Sequence, residues 1–150
     1  QCGMTLYTEE YNPQPGLVAG TFASSTPSLR SGTAIMKEMK EQGYFGKSGK
    51  VHGIYVEFVE ELKKLCEGSC RGLLKDPEGL GLMVAVTPFD GDREKILKLL
   101  HKMYDNGFMA FGCGKDPFRL RFLVPAIVTS EDIKTACKII EQSILELKDS

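Results

Sequence analysis

The sequence predicts an α+β fold in which helices cover a small, mainly antiparallel sheet. Four segments carry apolar residues at the three- and four-residue spacing of amphipathic helices, near residues 26–41, 50–68, 90–107 and 130–147. Short apolar runs bounded by glycine and proline lie between them and are typical of strands. The expected order after residue 26 is helix, helix, strand, helix, strand, strand, helix, which favours helices packed on a layer of strands.

The first two helices have clear ends. Thr26 can cap the first helix, because Pro27 then takes the first helical position, where its missing N–H is not needed. Gly43 is a C-terminal stop, and the second helix begins near Lys50 and ends near Gly68. The residues available for the buried face of the first helix are Leu29, Ala34, Ile35 and Met39.

An unbroken apolar run, LGLMVAVTP at residues 80–88, predicts the central strand of the sheet, covered on both faces. Shorter strands are predicted at residues 2–7 and 73–74. Asp90 can cap the helix that follows the central strand. The Asn-Gly pair at residues 106 and 107 can end that helix, because both residue types tolerate a left-handed backbone.

Residues 107–132 predict two strands, a polar loop and the start of the last helix. The first strand is the apolar run at 108–111, which is closed by glycine. The second, RLRFLV at 119–124, alternates basic with apolar residues until Pro125 ends it, since proline has no N–H for the ladder. The sequence TSED at 129–132 then supplies a helix cap and first-turn acids.

Two arginines, Arg119 and Arg121, leave the same face of this second strand, next to a glycine-rich turn. A guanidinium fork matches the two oxygens of a carboxylate, so this pair could hold an anion. The alternative is a half-exposed edge strand with solvated arginines, which the pattern alone favours.

Other candidate sites are weaker. No phosphate-binding loop, dinucleotide fingerprint, zinc-protease motif or nucleophile elbow is present, so no catalytic residue is assigned from motifs. His52 and His101 are best explained as surface histidines. Hydroxyls at the start of the first helix could hold a phosphate, although plain capping is the simpler explanation. These hydroxyls belong to Thr21, Ser24, Ser25 and Thr26.

The cysteine count is odd, at five, and Cys66 and Cys137 fall on apolar helix faces. Reduced, buried thiols of a cytoplasmic protein explain this better than a disulfide framework. Cys66 and Cys70 are four residues apart, but the histidines are isolated, so no metal is expected. The net charge is −1, the basic residues are spread, and no apolar run approaches membrane-spanning length. Neither a nucleic-acid nor a membrane partner is therefore expected.

Several stretches, taken in order, resemble the C-terminal part of class III, ornithine/acetylornithine-type, pyridoxal-phosphate aminotransferases. The resemblance covers nearly the whole chain. It is carried by Gly20-Thr21-Phe22 before a helix, GLGLM at residues 79–83, the helix that runs into Gly107 and a strand, and LRFLVP at residues 120–125 before TSED.

The resemblance implies the C-terminal small domain of the fold type I enzymes, at residues 27–150, with residues 1–26 a strip of the large cofactor-binding domain. It implies pyridoxal 5'-phosphate as the cofactor, an amino acid and a keto acid as small-molecule partners, and a homodimer. Thr21 matches the threonine that contacts the phosphate of the neighbouring subunit's cofactor. Arg121 matches the arginine that binds the substrate α-carboxylate, whereas Arg119 is expected to face outward or to support the loop.

The chain departs from the family pattern at three places. Ser24-Ser25-Thr26 stands where Gly-Asn-Pro is common, and Glu78-Gly79 stands where Arg-Gly is common. The Schiff-base lysine would precede the Gly-Thr-Phe motif, yet the first lysine is Lys37. The chain, which does not begin with methionine, is therefore expected to be a fragment that is inactive by itself and does not bind the cofactor. The alternative is a stand-alone, non-catalytic α+β binding or regulatory module.

Overall fold

The structure, a computed structural model, describes residues 7–17, 20–21 and 25–148. The predicted strand at residues 2–7 lies outside the described residues except for Tyr7. The chain divides into two units, residues 1–43 and 44–150, which are described separately. This division does not test the predicted boundary after residue 26.

The first unit contains a single-turn 3-10 helix at Glu9–Tyr11 and one long helix, α1, at Thr26–Glu41. Ser25, not Thr26, is the N-cap, and its side chain makes no capping hydrogen bond. None of the residues of α1 is buried, and Leu29 and Ile35 are exposed. The prediction of a buried face was therefore wrong: periodicity predicts the helix but not whether anything covers it.

The second unit has the predicted α+β architecture. Its described elements are α2 (Lys50–Glu67), β1 (Leu74–Leu80), β2 (Met83–Pro88), a single-turn 3-10 helix (Phe89–Gly91), α3 (Arg93–Asp105), β3 (Phe111–Cys113), β4 (Arg119–Leu123) and α4 (Ser130–Lys148). The strands form one sheet in the order β1-β2-β4-β3, and every neighbouring pair is antiparallel. No helix in the part of the chain that the structure describes has the length and apolarity to cross a membrane.

The predicted central strand at residues 80–88 is a hairpin. β1 ends at Leu80, Gly81 adopts a left-handed φ of 57°, and β2 begins at Met83. Glycine enters this region without strain, so a two-residue turn is hidden inside an apolar run. β2 is central in the sheet, but its face opposite the core is only partly covered, because Met83 is exposed and Ala85 half-buried while Thr87 is buried.

β1 is longer than the predicted strand at 73–74 and runs through Pro77. Its pairing with β2 shifts between Lys75 and Glu78, and Asp76 has a φ of 55°. A bulge on an edge strand tolerates proline, because the outer N–H has no partner to lose.

The start of α3 differs from the prediction, whereas its end at the Asn106-Gly107 pair is as predicted. Asp92, not Asp90, caps the helix by accepting a hydrogen bond from the Lys95 N–H at 3.1 Å. At the other end, the Gly107 and Phe108 amides bond back to carbonyls of the last helical turn. This Schellman stop holds Phe108 beside the helix. β3 therefore begins at Phe111, three residues later than predicted.

The core lies between one face of the sheet and helices α2, α3 and α4. Phe122 of β4 meets Phe58 of α2 edge-to-face, with ring centroids 5.2 Å apart. α4 is held at its start by a reciprocal cap, as predicted: the Asp132 N–H donates to Thr129 Oγ1, and the Thr129 N–H donates to Asp132 Oδ2. Other buried members of the core are Leu62, Val84, Val86, Leu99, Met103, Leu120, Ile133, Ile140 and Ile144.

Candidate functional site

The face of the sheet opposite the core is only partly covered by the second unit. Side chains alternate between the two faces of each strand, so residues 84, 86, 120 and 122 point into the core. Residues 83, 85, 119, 121 and 123 therefore point to the other side, which we call the open face. Arg121 is paired with Ala85 on one side and with Phe111 on the other, near the middle of this face.

Arg121 is half-buried and unsatisfied. Its guanidinium makes no hydrogen bond or ion pair with any residue that the structure describes, and its Nε is buried without an acceptor. The guanidinium carbon lies 6.0 Å from the centre of the Phe111 ring, a weak cation–π distance. A buried donor without an acceptor is uncommon in folded proteins, and it indicates a place where an anion can bind.

Arg119, on the same face, is fully engaged. Its Nε donates to Thr87 Oγ1 at 3.1 Å, and its terminal nitrogens donate to Glu78 Oε1, to the Asp76 carbonyl and, at 3.3 Å, to the Ala85 carbonyl. Arg119 was expected to face outward or to support the loop; its side chain instead bonds to the β1 bulge. The two arginines, which the strand pattern alone could not tell apart, thus make different contacts.

Exposed apolar side chains surround Arg121. Leu80 is 86% exposed, Leu123 57% and Met83 52%, and the three form one row across the sheet. Phe111 is 46% exposed beside the guanidinium. A contiguous apolar patch with one charged group is typical of a surface that another domain or molecule covers. The sequence did not reveal this patch, because residues 80–88 were assigned to a doubly covered strand.

Thr21 belongs to the first unit, in an exposed turn before α1. Because Ser25 makes no side-chain cap, its hydroxyl and the first amides of α1 are candidates for a phosphate. Phe22 and Ser24 lie outside the described residues. Thr21 and Arg121 stand in different units, so the structure gives no distance between them.

The histidines and cysteines considered in the sequence do not form a site among the described residues. His52 and His101 are exposed, and His52 stacks on Tyr55 with ring centroids 6.1 Å apart. Burial raises the pKa of the Cys66 thiol to about 11 and that of Cys137 to about 12, so both stay protonated near neutral pH. The described residues contain no group of three histidine, cysteine or acidic side chains placed for a metal.

Comparison with known proteins identifies the relatives. No family model matches the chain. It is 27% identical over 135 residues to the acetylornithine aminotransferase of Caldanaerobacter subterraneus subsp. tengcongensis, an alignment that covers 90% of this chain and 32% of the relative. It is 24% identical over 139 residues to the 5-aminovalerate aminotransferase DavT of Pseudomonas aeruginosa, covering 89% and 32%. The chain thus spans about a third of the length of these relatives.

Solved structures share the fold. The ornithine aminotransferase of Toxoplasma gondii superposes with a TM-score of 0.68 at 20% identity, over 91% of this chain and 31% of that enzyme. The lysine aminotransferase of M. tuberculosis superposes with a TM-score of 0.63 at 21% identity, over 75% and 24%. Sequence and fold together confirm the resemblance that the motifs indicate: the chain is similar to the C-terminal part of class III aminotransferases.

Proposed function

We propose that this chain is the C-terminal small domain of a pyridoxal-phosphate-dependent class III aminotransferase. In the intact enzyme, an amino group would pass from an amino acid or amine to a keto acid. Arg121 would bind the substrate α-carboxylate, and Thr21 would contact the phosphate of the cofactor in the other subunit of a homodimer. The observation that carries the proposal is the unsatisfied guanidinium of Arg121 on the open face.

The surroundings of Arg121 suit a carboxylate. Its Nε has already lost water on folding, so an incoming carboxylate gains a charge-assisted hydrogen bond without removing much further solvent. The neighbouring Leu80, Met83 and Leu123 would be covered by the large domain, which would lower the local dielectric and strengthen the ion pair.

The cofactor fits this chain only in part. Pyridoxal phosphate supplies the aldehyde that carries the amino group and the ring that withdraws electrons from the reacting carbon. The Thr21 hydroxyl and the start of α1 suit its phosphate, but Lys37, the first lysine, lies inside α1 rather than before Thr21. The chain therefore supplies groups that hold the substrate and the phosphate, and it should be inactive without the large domain.

The unpaired cysteines support a cytoplasmic location. Cys66, Cys70, Cys113 and Cys137 are free thiols, as expected in a reducing compartment.

The test begins with the transcript. Sequencing upstream of the Gln1 codon should extend the reading frame and reveal a lysine shortly before the Gly-Thr-Phe motif. The protein encoded by the full frame should transfer amino groups from an amino acid to a keto acid. A start codon close to Gln1 would instead favour the stand-alone binding module.

The same protein tests the role of Arg121. Arg121→Lys should raise the KM for the amino donor about 10- to 100-fold, because lysine cannot form the two parallel bonds of a guanidinium fork. Arg71→Lys, at an exposed position in the turn between α2 and β1, is the matched control and should leave KM unchanged. An unchanged KM in Arg121→Lys would remove the carboxylate assignment.

A further inference from the structure

Two guanidiniums stand two residues apart on one strand, yet only one is open to a ligand. Arg119 makes four hydrogen bonds, whereas Arg121 makes none to the described part of the chain. Alternation along β4 places both side chains on the open face. The hydrogen-bond partners of Arg119 therefore determine whether the open face offers an anion one guanidinium or two.

The partner that matters is Glu78. It lies on β1, in the same cross-strand row as Ala85 and Arg121, and its carboxylate accepts a hydrogen bond from Arg119 Nη1 at 2.5 Å. The β1 bulge precedes it and brings the Asp76 carbonyl to the other terminal nitrogen of Arg119. The chain thus offers an anionic and a neutral acceptor to the same guanidinium, from the one strand whose register shifts.

We propose that Glu78 is a specificity-determining and positioning residue: it neutralises Arg119 and leaves Arg121 as the guanidinium that takes a substrate carboxylate. The inference rests on the proposed function of Arg121. With Glu78 and Arg119 paired, the open face presents one uncompensated positive charge, which matches a single carboxylate. Without Glu78, two adjacent guanidiniums would favour a second anionic group.

The exposure of the two side chains sets how strongly the loss of Glu78 should affect Arg119. The Arg119 side chain is 18% exposed, but that of Glu78 is 68% exposed, so water screens the pair. Loss of Glu78 should therefore loosen Arg119 without freeing it, since the bonds to Thr87 and to the two carbonyls remain. We expect an increase in Arg119 reactivity of about 2- to 5-fold, in line with a screened ion pair.

Arginine modification of the 150-residue chain tests this inference directly. Phenylglyoxal is added to the folded chain, and tandem mass spectrometry follows the modification of Arg119 and Arg121 separately. In the unaltered chain Arg121 should react several times faster than Arg119. Glu78→Ala should raise the Arg119 rate by the factor above and leave the Arg121 rate unchanged. Glu78→Gln keeps a neutral acceptor, so its Arg119 rate should fall between the rates of the unaltered chain and of Glu78→Ala.

A matched control is Glu60→Gln, which removes one exposed carboxylate from α2 and should change neither rate. Circular dichroism checks that each variant is folded, and the comparison rests on Glu78→Gln if Glu78→Ala unfolds. Equal rates for the two arginines in the unaltered chain, or an Arg119 rate unaffected by both Glu78 variants, would overturn the inference.

Carboxylate protection separates this inference from the proposed function. Acetate and glutarate are each added before phenylglyoxal. Both should slow modification of Arg121 in the unaltered chain, and glutarate should also slow modification of Arg119 once Glu78 is alanine. No protection of Arg121 would contradict the proposed function. Protection of Arg121 with no glutarate effect on Arg119 in Glu78→Ala would contradict the role of Glu78.

Discussion

The two faces of the sheet use the same strands for opposite purposes. Toward the helices, Val84, Val86 and Leu120 are almost completely buried, so this face finds its partners within the chain. On the open face, Met83 and Leu123 are more than half exposed, one residue away from fully buried neighbours. One face forms the core of the second unit, whereas the other leaves large apolar side chains exposed.

Removing side chains from each face should show this difference most strongly. Leu120→Ala should lower the free energy of unfolding by about 3 kcal/mol, because it leaves a cavity among fully buried neighbours. Leu123→Ala removes the same atoms from an exposed position, and should change it by less than about 0.5 kcal/mol. Urea denaturation monitored by circular dichroism measures both. Similar losses would mean that the open face is covered in solution.

The two arginines sharpen the comparison within the open face. Arg119→Met should lower the free energy of unfolding by about 1–3 kcal/mol, because the buried Thr87 hydroxyl and two carbonyls lose their donor. Arg121→Met should leave it unchanged or raise it by up to about 1 kcal/mol, since a buried nitrogen without an acceptor is removed. Urea denaturation measures both variants. Equal losses of unfolding free energy would mean that the two arginines do not differ in their contribution to stability.

The sequence could predict the helices but not this difference. Helical periodicity and capping residues are local, so α2, α4 and the Thr129–Asp132 cap were predicted correctly. The hairpin at Gly81 was missed because residues 80–88 are almost all apolar. Such a run has no alternation that would show where one strand ends and the next begins. The strand pattern alone does not separate Arg119 from Arg121, since what distinguishes them is Glu78, 41 residues away and set in place by a bulge. The family resemblance singled out Arg121 on other grounds, by matching it to a known position.

Acid should lower the stability of the second unit by weakening the cap at the start of α4, which packs on the covered face of the sheet. Hydrogen bonds from Thr129 lower the pKa of Asp132 below its usual value, so the folded state binds the proton less readily than the unfolded chain. This contribution is complete above the unfolded pKa near 3.8 and is lost as the pH falls through the lower folded pKa. Asp132→Asn should flatten this part of the pH profile of thermal unfolding. An unchanged profile would assign acid sensitivity to other groups.

Cysteine reactivity gives the smallest contrast. Burial raises the pKa of Cys137, on the covered side, to about 12, so little thiolate forms at pH 8. Cys113 lies half-buried on β3, at the opposite edge of the sheet from β1. Iodoacetamide should label Cys113 well before Cys137 in the folded chain and at similar rates in urea, as followed by mass spectrometry. Equal rates without urea would mean that α4 opens readily.

The bulge in β1 has a consequence for how copies of this chain can associate. A strand at the rim of a sheet can template a neighbour's strand and begin a fibril, but Pro77 has no N–H to donate and the shifted register interrupts the ladder. Lys75, Asp76 and Glu78 add charge along the same rim. Copies of this chain would therefore not extend the sheet through β1 into a polymer.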